Sequence, residues 1–354
     1  MTSASAVPDA SPLSSAPELP GPYLLFLGDI KDPGYAKTAF GLRDWARDRC
    51  VGEMSCAPDS VTTGLPELTP SEARARGARS VLIGVANVGG ELKANWIGPL
   101  AGALEAGLDI ISGLHMRLAD TPELKRTAER HGRRLIDVRI PPSGIPVATG
   151  RKRSGKRLLT VGTDCALGKK YTALSIARAL VARSIDSHFR ATGQTGIMIA
   201  GSGIPMDAVV SDFAAGAAEL LSPDAAPDHW DVIEGQGSLF HPSYAGVSLA
   251  LLHGSQPDVI VVCHEPGRRN IVGTAGYTLP GIAETIDLNL RLGSRTNPRI
   301  RCAGVSLNTS QLAEACALRL LADESARLGL PVADPIRGGR AFEQLVDNCL
   351  APSN

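Results

Sequence analysis

The sequence predicts an α/β protein of two domains, each a parallel β-sheet covered by helices. Three observations carry this. Short apolar runs alternate with helix-like stretches from Tyr23 to Leu350, the pattern of strand, helix and parallel strand. The alternation is broken once, by a run rich in Pro and Gly followed by a basic cluster at 141–157. The length of 354 residues suits two domains at ~100–200 residues each.

In the first half the apolar runs are Tyr23–Leu27, Cys50–Met54, Ser80–Val85, Leu108–Ser112 and Leu135–Val138, with helices expected at Thr38–Arg49, Pro70–Arg76, Pro99–Gly107 and Thr121–His131. This makes 23–140 a Rossmann-like parallel sheet. Residues 1–22 hold five Pro, five Ser and four Ala, with no Lys or Arg before Lys31. They read as a disordered tail rather than a signal peptide. The segment 141–157 reads as a linker, its basic run Arg151–Arg157 as a solvated face rather than a phosphate-contacting arm.

Over 158–350 strands are expected at Leu158–Val161, Ser187–Thr192, Asp231–Glu234, Val259–Cys263 and Ile300–Leu307. Helices are expected at Tyr171–Arg183, Asp207–Leu221, Tyr244–His253, Leu279–Leu292, Gln311–Leu328 and Arg340–Leu350. Val259 to Val262 is apolar at every position, as a strand buried on both faces requires.

Composition narrows the function. Thirty-six Lys+Arg balance 36 Asp+Glu, so coating of nucleic acid or an anionic membrane is not expected, because counterion release rewards a basic excess. No apolar run approaches the ~18–20 residues needed to span a bilayer. Seven Cys without a Cys-x-x-Cys pair indicate neither a disulfide framework nor a zinc ribbon. The expectation is a cytoplasmic protein acting on small molecules, with no protein-bound metal and its oligomeric state open.

The strongest local signal is Gly162 Thr163 Asp164 Cys165 Ala166 Leu167 Gly168 Lys169 Lys170, between an expected strand and an expected helix. That is where a phosphate-binding loop belongs. Its N–H groups converge on an anion, the helix start adds positive potential, and a lysine neutralises phosphate oxygens. The second domain is therefore expected to be P-loop NTPase-like. Two departures are specific. Five residues rather than four separate Gly162 from Gly168, and Lys170 stands where a magnesium-binding Ser or Thr is usual; Thr172, two residues on, is the available substitute hydroxyl. The Gly-Thr-Asp opening is similar to dethiobiotin synthetase and related ATP-dependent enzymes.

Ligands of open parallel sheets bind beyond the carboxyl ends of the strands. Glu234 before Gly235 Gln236 Gly237, His264 and Arg268 after the most buried strand, Asn308 after the next, and His241 all fall there. Glu234 is open to several readings: metal ligand, amine-orienting group, base or helix cap. A helix N-terminus lowers a thiol pKa, so Cys165 is either a reactive thiolate or a small residue at a turn, the latter preferred. The first strand ends in Gly28 Asp29 Ile30 Lys31, without a dinucleotide fingerprint, so no NAD is expected.

From about Tyr23 to Asn348 the chain resembles a family long described as of unknown function, whose characterised members are D-glutamate N-acetyltransferases. The resemblance rests on Val88 Gly89 Gly90 with Trp96, Ser112 to Leu118, Val161 to Lys169, Gly193 to Gly196, Glu234 to Ser238, Cys263 to Pro266, and Asp334 to Arg337. It implies acetyl-CoA as co-substrate, its phosphates cradled by Gly162, Thr163, Asp164, Cys165, Ala166, Gly168, Lys169 and Lys170, with Asn308 nearby. A magnesium requirement stays open. Glu234, His264 or Asp207 would be the base, and N–H groups at Gly196 or Gly237 the oxyanion donors. Arg268 and Arg117 would grip substrate carboxylates, with His115 and Arg117 closing the pocket from the first half. The alternatives are an ATP-dependent carboxylate-amine ligase or kinase, and a non-catalytic nucleotide or CoA sensor.

Overall fold

The computed structural model describes residues 18–86 and 88–352. They divide into two units. The N-terminal unit contains the described residues to Pro141 and, from further along the chain, Gln194–Ala208. The C-terminal unit contains Pro142–Gly193 and the chain from Val209 onward. Each unit holds one parallel sheet, as the sequence predicts.

The N-terminal sheet comprises β1 (Tyr23–Gly28), β2 (Cys50–Ser55), β3 (Ser80–Ile83), β4 (Asp109–Ser112) and β5 (Leu135–Asp137), in the order β2-β1-β3-β4-β5. Its helices are α1 (Lys37–Trp45), α2 (Pro70–Ala75), α3 (Ala94–Glu105) and α4 (Pro122–His131). Every residue of β1 is buried, which is why it reads as a continuous apolar run. Trp96, fully buried, meets Phe26 edge-to-face at 5.5 Å and donates from Nε1 to Asp29 at 2.9 Å. A Cβ on Gly28, at φ +58°, would collide with that indole. Burying Trp96 accounts for the start of α3 at Ala94, with Pro99 inside the helix, instead of at Pro99 as expected. Of the tail expected over 1–22, residues 1–17 lie outside the described residues. Leu19 and Pro20 are buried, and the Pro20 carbonyl accepts from Ser80 Oγ at 2.7 Å.

The C-terminal sheet comprises β6 (Lys156–Gly162), β7 (Ser187–Arg190), β8 (Trp230–Ile233), β9 (Val259–His264), β10 (Arg301–Leu307) and β11 (Val332–Ala333), in the order β11-β10-β9-β6-β8-β7. Its helices are α5 (Lys169–Ala182), α7 (Ser211–Leu221), α8 (Ala245–Ser255), α9 (Ile282–Gly293), α10 (Glu314–Leu328) and α11 (Gly339–Leu350). β6 lies between β8 and β9, so the loop leaving it opens where the strand order reverses, the crevice that ligands of such sheets use. Among the described residues no helix is long and apolar enough to cross a membrane.

Two further findings depart from expectation. The helix expected from Asp207 starts at Ser211. The chain before it forms α6 (Gln194–Ala200) and a turn at Met206–Ala208, both belonging to the N-terminal unit. There Thr195 bonds Thr38 at 2.8 Å, Arg49 donates to the Ile199 carbonyl at 3.2 Å, and Asp207 pairs with Arg139. The basic run is not wholly solvated either: Arg153 and Arg157 are 6% and 1% exposed. Their guanidinium groups donate to main-chain carbonyls at Ser222, Pro223 and Gly254, fastening the incoming chain to the ends of α7 and α8.

Candidate functional site

The phosphate-loop sequence forms the connection from β6 to α5 in the C-terminal unit. Gly168 takes φ +105° and opens α5 at Lys169, so the first N–H groups of a 14-residue helix point back to the loop. Ala166 takes φ +56°, a conformation costing about 1 kcal/mol for a residue with a Cβ. A network fixed from below holds the loop in that shape. Asp164 is fully buried; one carboxylate oxygen accepts from Cys165 N at 2.6 Å, the other from Arg268 Nη1 at 3.0 Å and Val272 N at 2.8 Å. Arg268 also donates to the Cys165 carbonyl at 2.8 Å and pairs with Glu265. Asp164 and Arg268 therefore hold each other, and Asp164 anchors the loop instead of facing its mouth.

Lys169 is 7% exposed and curls back to donate to the Asp164 carbonyl at 2.7 Å. Burial pushes its pKa down, opposed by neighbouring Cys165, Cys263 and Asp164. Thr163 contacts His264 Nδ1 through Oγ1 at 3.0 Å, and its carbonyl accepts from Ser238 Oγ at 3.1 Å. Burial lowers the pKa of His264 below the usual 6.5, so the imidazole is neutral at physiological pH. Thr172 turns away into the interior, where it bonds Ser306 at 2.8 Å and Cys263 at 3.4 Å. It does not bring a hydroxyl to the loop.

Glu234 follows the end of β8 and is 4% exposed. One carboxylate oxygen accepts from Thr192 N at 3.0 Å and Gly193 N at 3.1 Å. Burial raises its pKa, opposed by Lys170 and by those two N–H groups. The role best matched is a clamp on the chain leaving β7. Gly235 is required at the turn because a Cβ there would collide with the Thr160 carbonyl; Gly237 takes φ +55°.

Asn308 accepts from Ser310 N at 3.3 Å, and its own N–H donates to the His264 carbonyl at 2.9 Å, which joins the ends of β9 and β10. His241 is buried, accepting from Ser243 N on Nδ1 and donating from Nε2 to the Val272 carbonyl. With both nitrogens engaged it is a structural residue. Asp164, Cys165 and His241 lie within metal-ligand spacing, but both nitrogens of His241 are engaged, and Asp164 already accepts three hydrogen bonds. The Cys165 thiol is pushed up by burial, which outweighs the nearby Lys169 and Arg268, against the lowering expected at a helix start. Its backbone role in the loop is the better supported.

The structure thus brings Gly162 to Lys170, Glu234, Gly237, His264, Arg268 and Asn308 together within one unit. Asp207, Gly196, His115 and Arg117 belong to the other. Gly196 lies in the first turn of α6, and His115 and Arg117 are exposed beyond β4. Sequence reasoning gave no role to Glu265 and Ser238, although both lie in motifs it singled out, and it missed Val272. Val272 sits on a hairpin closed by Ile271 N to Tyr277 O and Leu279 N to Arg269 O, both 2.9 Å, and the run of glycines at 267, 273 and 276 is the signal that announces it.

Fold and loop together define a two-domain α/β protein, a Rossmann-like domain followed by a P-loop domain. A family described as a domain of unknown function (DUF1611_N), Rossmann-like domain, matches residues 48–141; its partner, the DUF1611_C P-loop domain, matches 146–346. The chain belongs to the DUF1611 family. It is 51% identical over 326 residues to a protein of Tritonibacter scottomollicae named D-glutamate N-acetyltransferase, covering 92% of this chain and 97% of that one. It is 46% identical over 318 residues to a Pseudoalteromonas protein of the same name, covering 90% and 96%. A crystal structure of a DUF1611 family protein from Anabaena variabilis superposes with a TM-score of 0.82 at 32% identity, covering 93% of this chain and 99% of that one.

Proposed function

We propose that this protein is a D-glutamate N-acetyltransferase that uses acetyl-CoA. The observation that carries the reading is the 46–51% identity, across nine-tenths of the chain, to two relatives bearing that name. The loop supports it. CoA carries a pyrophosphate and a ribose phosphate, so a phosphate loop anchors the donor with no hydrolytic step, and a Ser or Thr after Lys169 is not needed. Lys169 would exchange the Asp164 carbonyl for a donor phosphate; the α5 N-terminus supplies the remaining positive potential.

In the reaction the amine of D-glutamate attacks the thioester carbonyl, the C–N bond forms, and the C–S bond breaks to release CoA as a thiol. One proton leaves the ammonium before attack and passes to solvent; a second leaves the nitrogen once the C–N bond has formed and is delivered to the departing sulfur. His264 is the group best suited to move it: neutral, half-buried at the end of β9, and steered by Thr163. Arg268 is engaged by Asp164 and Glu265, so it shapes the loop. We assign recognition of the substrate carboxylates to groups other than Arg268. The reaction needs no NAD, and we place it in the cytoplasm, where the seven free thiols stay reduced. The test is mass spectrometry of the product from deuterated acetyl-CoA and D-glutamate. A deuteroacetylated glutamate supports the reading, and an unlabelled or phosphorylated product overturns it.

A further inference from the structure

At the amino ends of β7 and β8, the edge of the sheet opposite the phosphate loop, Asp186, His188 and His229 each place one ligand atom within 4.8 Å of the others. His229 is buried, whereas Asp186 and His188 are exposed. Its Nδ1 lies 2.8 Å from Asp186 Oδ2, and its Nε2 lies 3.1 Å from Asp231 Oδ1 and 3.4 Å from His188 Nδ1. A neutral imidazole has one N–H and one lone pair. Facing a carboxylate on both sides, it satisfies one and sets its lone pair against the other unless a cation intervenes.

The two carboxylates are not equivalent. Asp231, with a side chain 2% exposed, already accepts from Arg190 Nε at 2.6 Å and Ser222 Oγ at 2.6 Å. It is a fixed internal acceptor, suited to take the Nε2–H of His229 and orient the ring, as carboxylates behind metal-bound histidines do. That tautomer directs the Nδ1 lone pair outward to Asp186, whose side chain is 61% exposed, while the His188 imidazole stands on the Nε2 side of the ring and has to turn to bring a nitrogen to the same ion. Ligand atoms around a tetrahedral ion with bonds of ~2.0–2.1 Å stand roughly 3.3 Å apart. Asp186 and His188 are exposed, and binding requires their side chains to turn from the present spacing toward that one. Two imidazoles and one carboxylate suit a borderline transition cation over magnesium or calcium.

We propose that Asp186, His188 and His229 form a site for one divalent cation of the zinc class, oriented from behind by Asp231. The ion would pin edge strand β7 and the loop before it to the start of β8. The proposal is independent of the acetyltransferase reading, because these residues lie at the far edge of the sheet.

The test uses the full chain, freed of metal with a chelator and titrated with zinc by calorimetry, with cobalt(II) absorption as the report of ligand type. Expected are one zinc per chain, affinity reduced at least ten-fold in His188→Ala and in Asp186→Asn, a cobalt spectrum without a thiolate charge-transfer band, and a zinc-dependent rise in Tm lost in both variants. Both changes are on exposed side chains, and the variants should keep the metal-free Tm and the thiol-release activity of the parent. Absence of zinc binding, which a protonated His229 bridging the two carboxylates would produce, overturns the proposal. So does binding that both variants retain, or one with a thiolate signature.

Discussion

The Lys169 ammonium donates a 2.7 Å hydrogen bond to the carbonyl of Asp164, five residues earlier in its own loop. The cation is thereby stored across the loop that it closes, at a desolvation cost visible in its lowered pKa. Replacing the carbonyl with a donor phosphate exchanges a neutral acceptor for a charged one, worth ~1.5–3 kcal/mol for such bonds. Lys169→Ala should therefore raise the KM for acetyl-CoA roughly 10- to 150-fold while leaving Tm unchanged or higher. An unchanged KM would place the donor elsewhere.

Arg268 and Asp164 test whether the guanidinium belongs to substrate or scaffold. If they act as one anchor, Arg268→Ala and Asp164→Asn lower Tm and weaken donor binding in the same way, and the double variant is little worse than either. Their coupling should reach ~1 kcal/mol or more in a double-mutant cycle. Additive effects, with Arg268→Ala raising only the KM for glutamate, would return Arg268 to substrate binding.

Glu234 distinguishes a clamp from a base. A glutamine carbonyl still accepts from Thr192 N and Gly193 N, so Glu234→Gln should keep activity within a few-fold, whereas loss of a general base costs ~10²–10⁴. The raised pKa adds a stability signature. Folded Glu234 holds its proton more tightly than the unfolded chain does, so the group's contribution to stability falls as pH rises above the usual 4.5. Glu234→Gln should remove that loss and match or exceed the parent's Tm near neutral pH, as thermal melts across pH would register.

His264 should set the acid limb of kcat/KM. Because burial lowers its pKa, the neutral imidazole persists to below pH 6.5, and activity should fall only as pH drops through that depressed value. His264→Gln should remove the limb and slow the reaction ~10²-fold or more. A limb that survives the change assigns the proton to another group.

Much of this fold was legible because its central strands are buried on both faces: β1 and β9 announce themselves as unbroken apolar runs. β11, two residues long, is too short to carry a pattern. The residence of Gln194–Ala208 in the N-terminal unit is a long-range packing choice, made through Thr38 with Thr195 and Arg139 with Asp207, that no local signal encodes. In the site, loop and strand ends were readable because residue type and position agree. The partners were not: that Asp164 faces Arg268, that Glu234 holds main-chain N–H groups, and that Cys165 is buried enough to stay a thiol depend on distances set by the folded chain.

The central claim, that the phosphate loop serves acetyl transfer and not nucleotide hydrolysis, is tested most directly by following free thiol and ADP together in one assay with D-glutamate, acetyl-CoA, ATP and magnesium. The account predicts thiol release that requires D-glutamate, is far slower with L-glutamate, and is unaccompanied by ADP. ADP formation dependent on glutamate, with no thiol released, would contradict it.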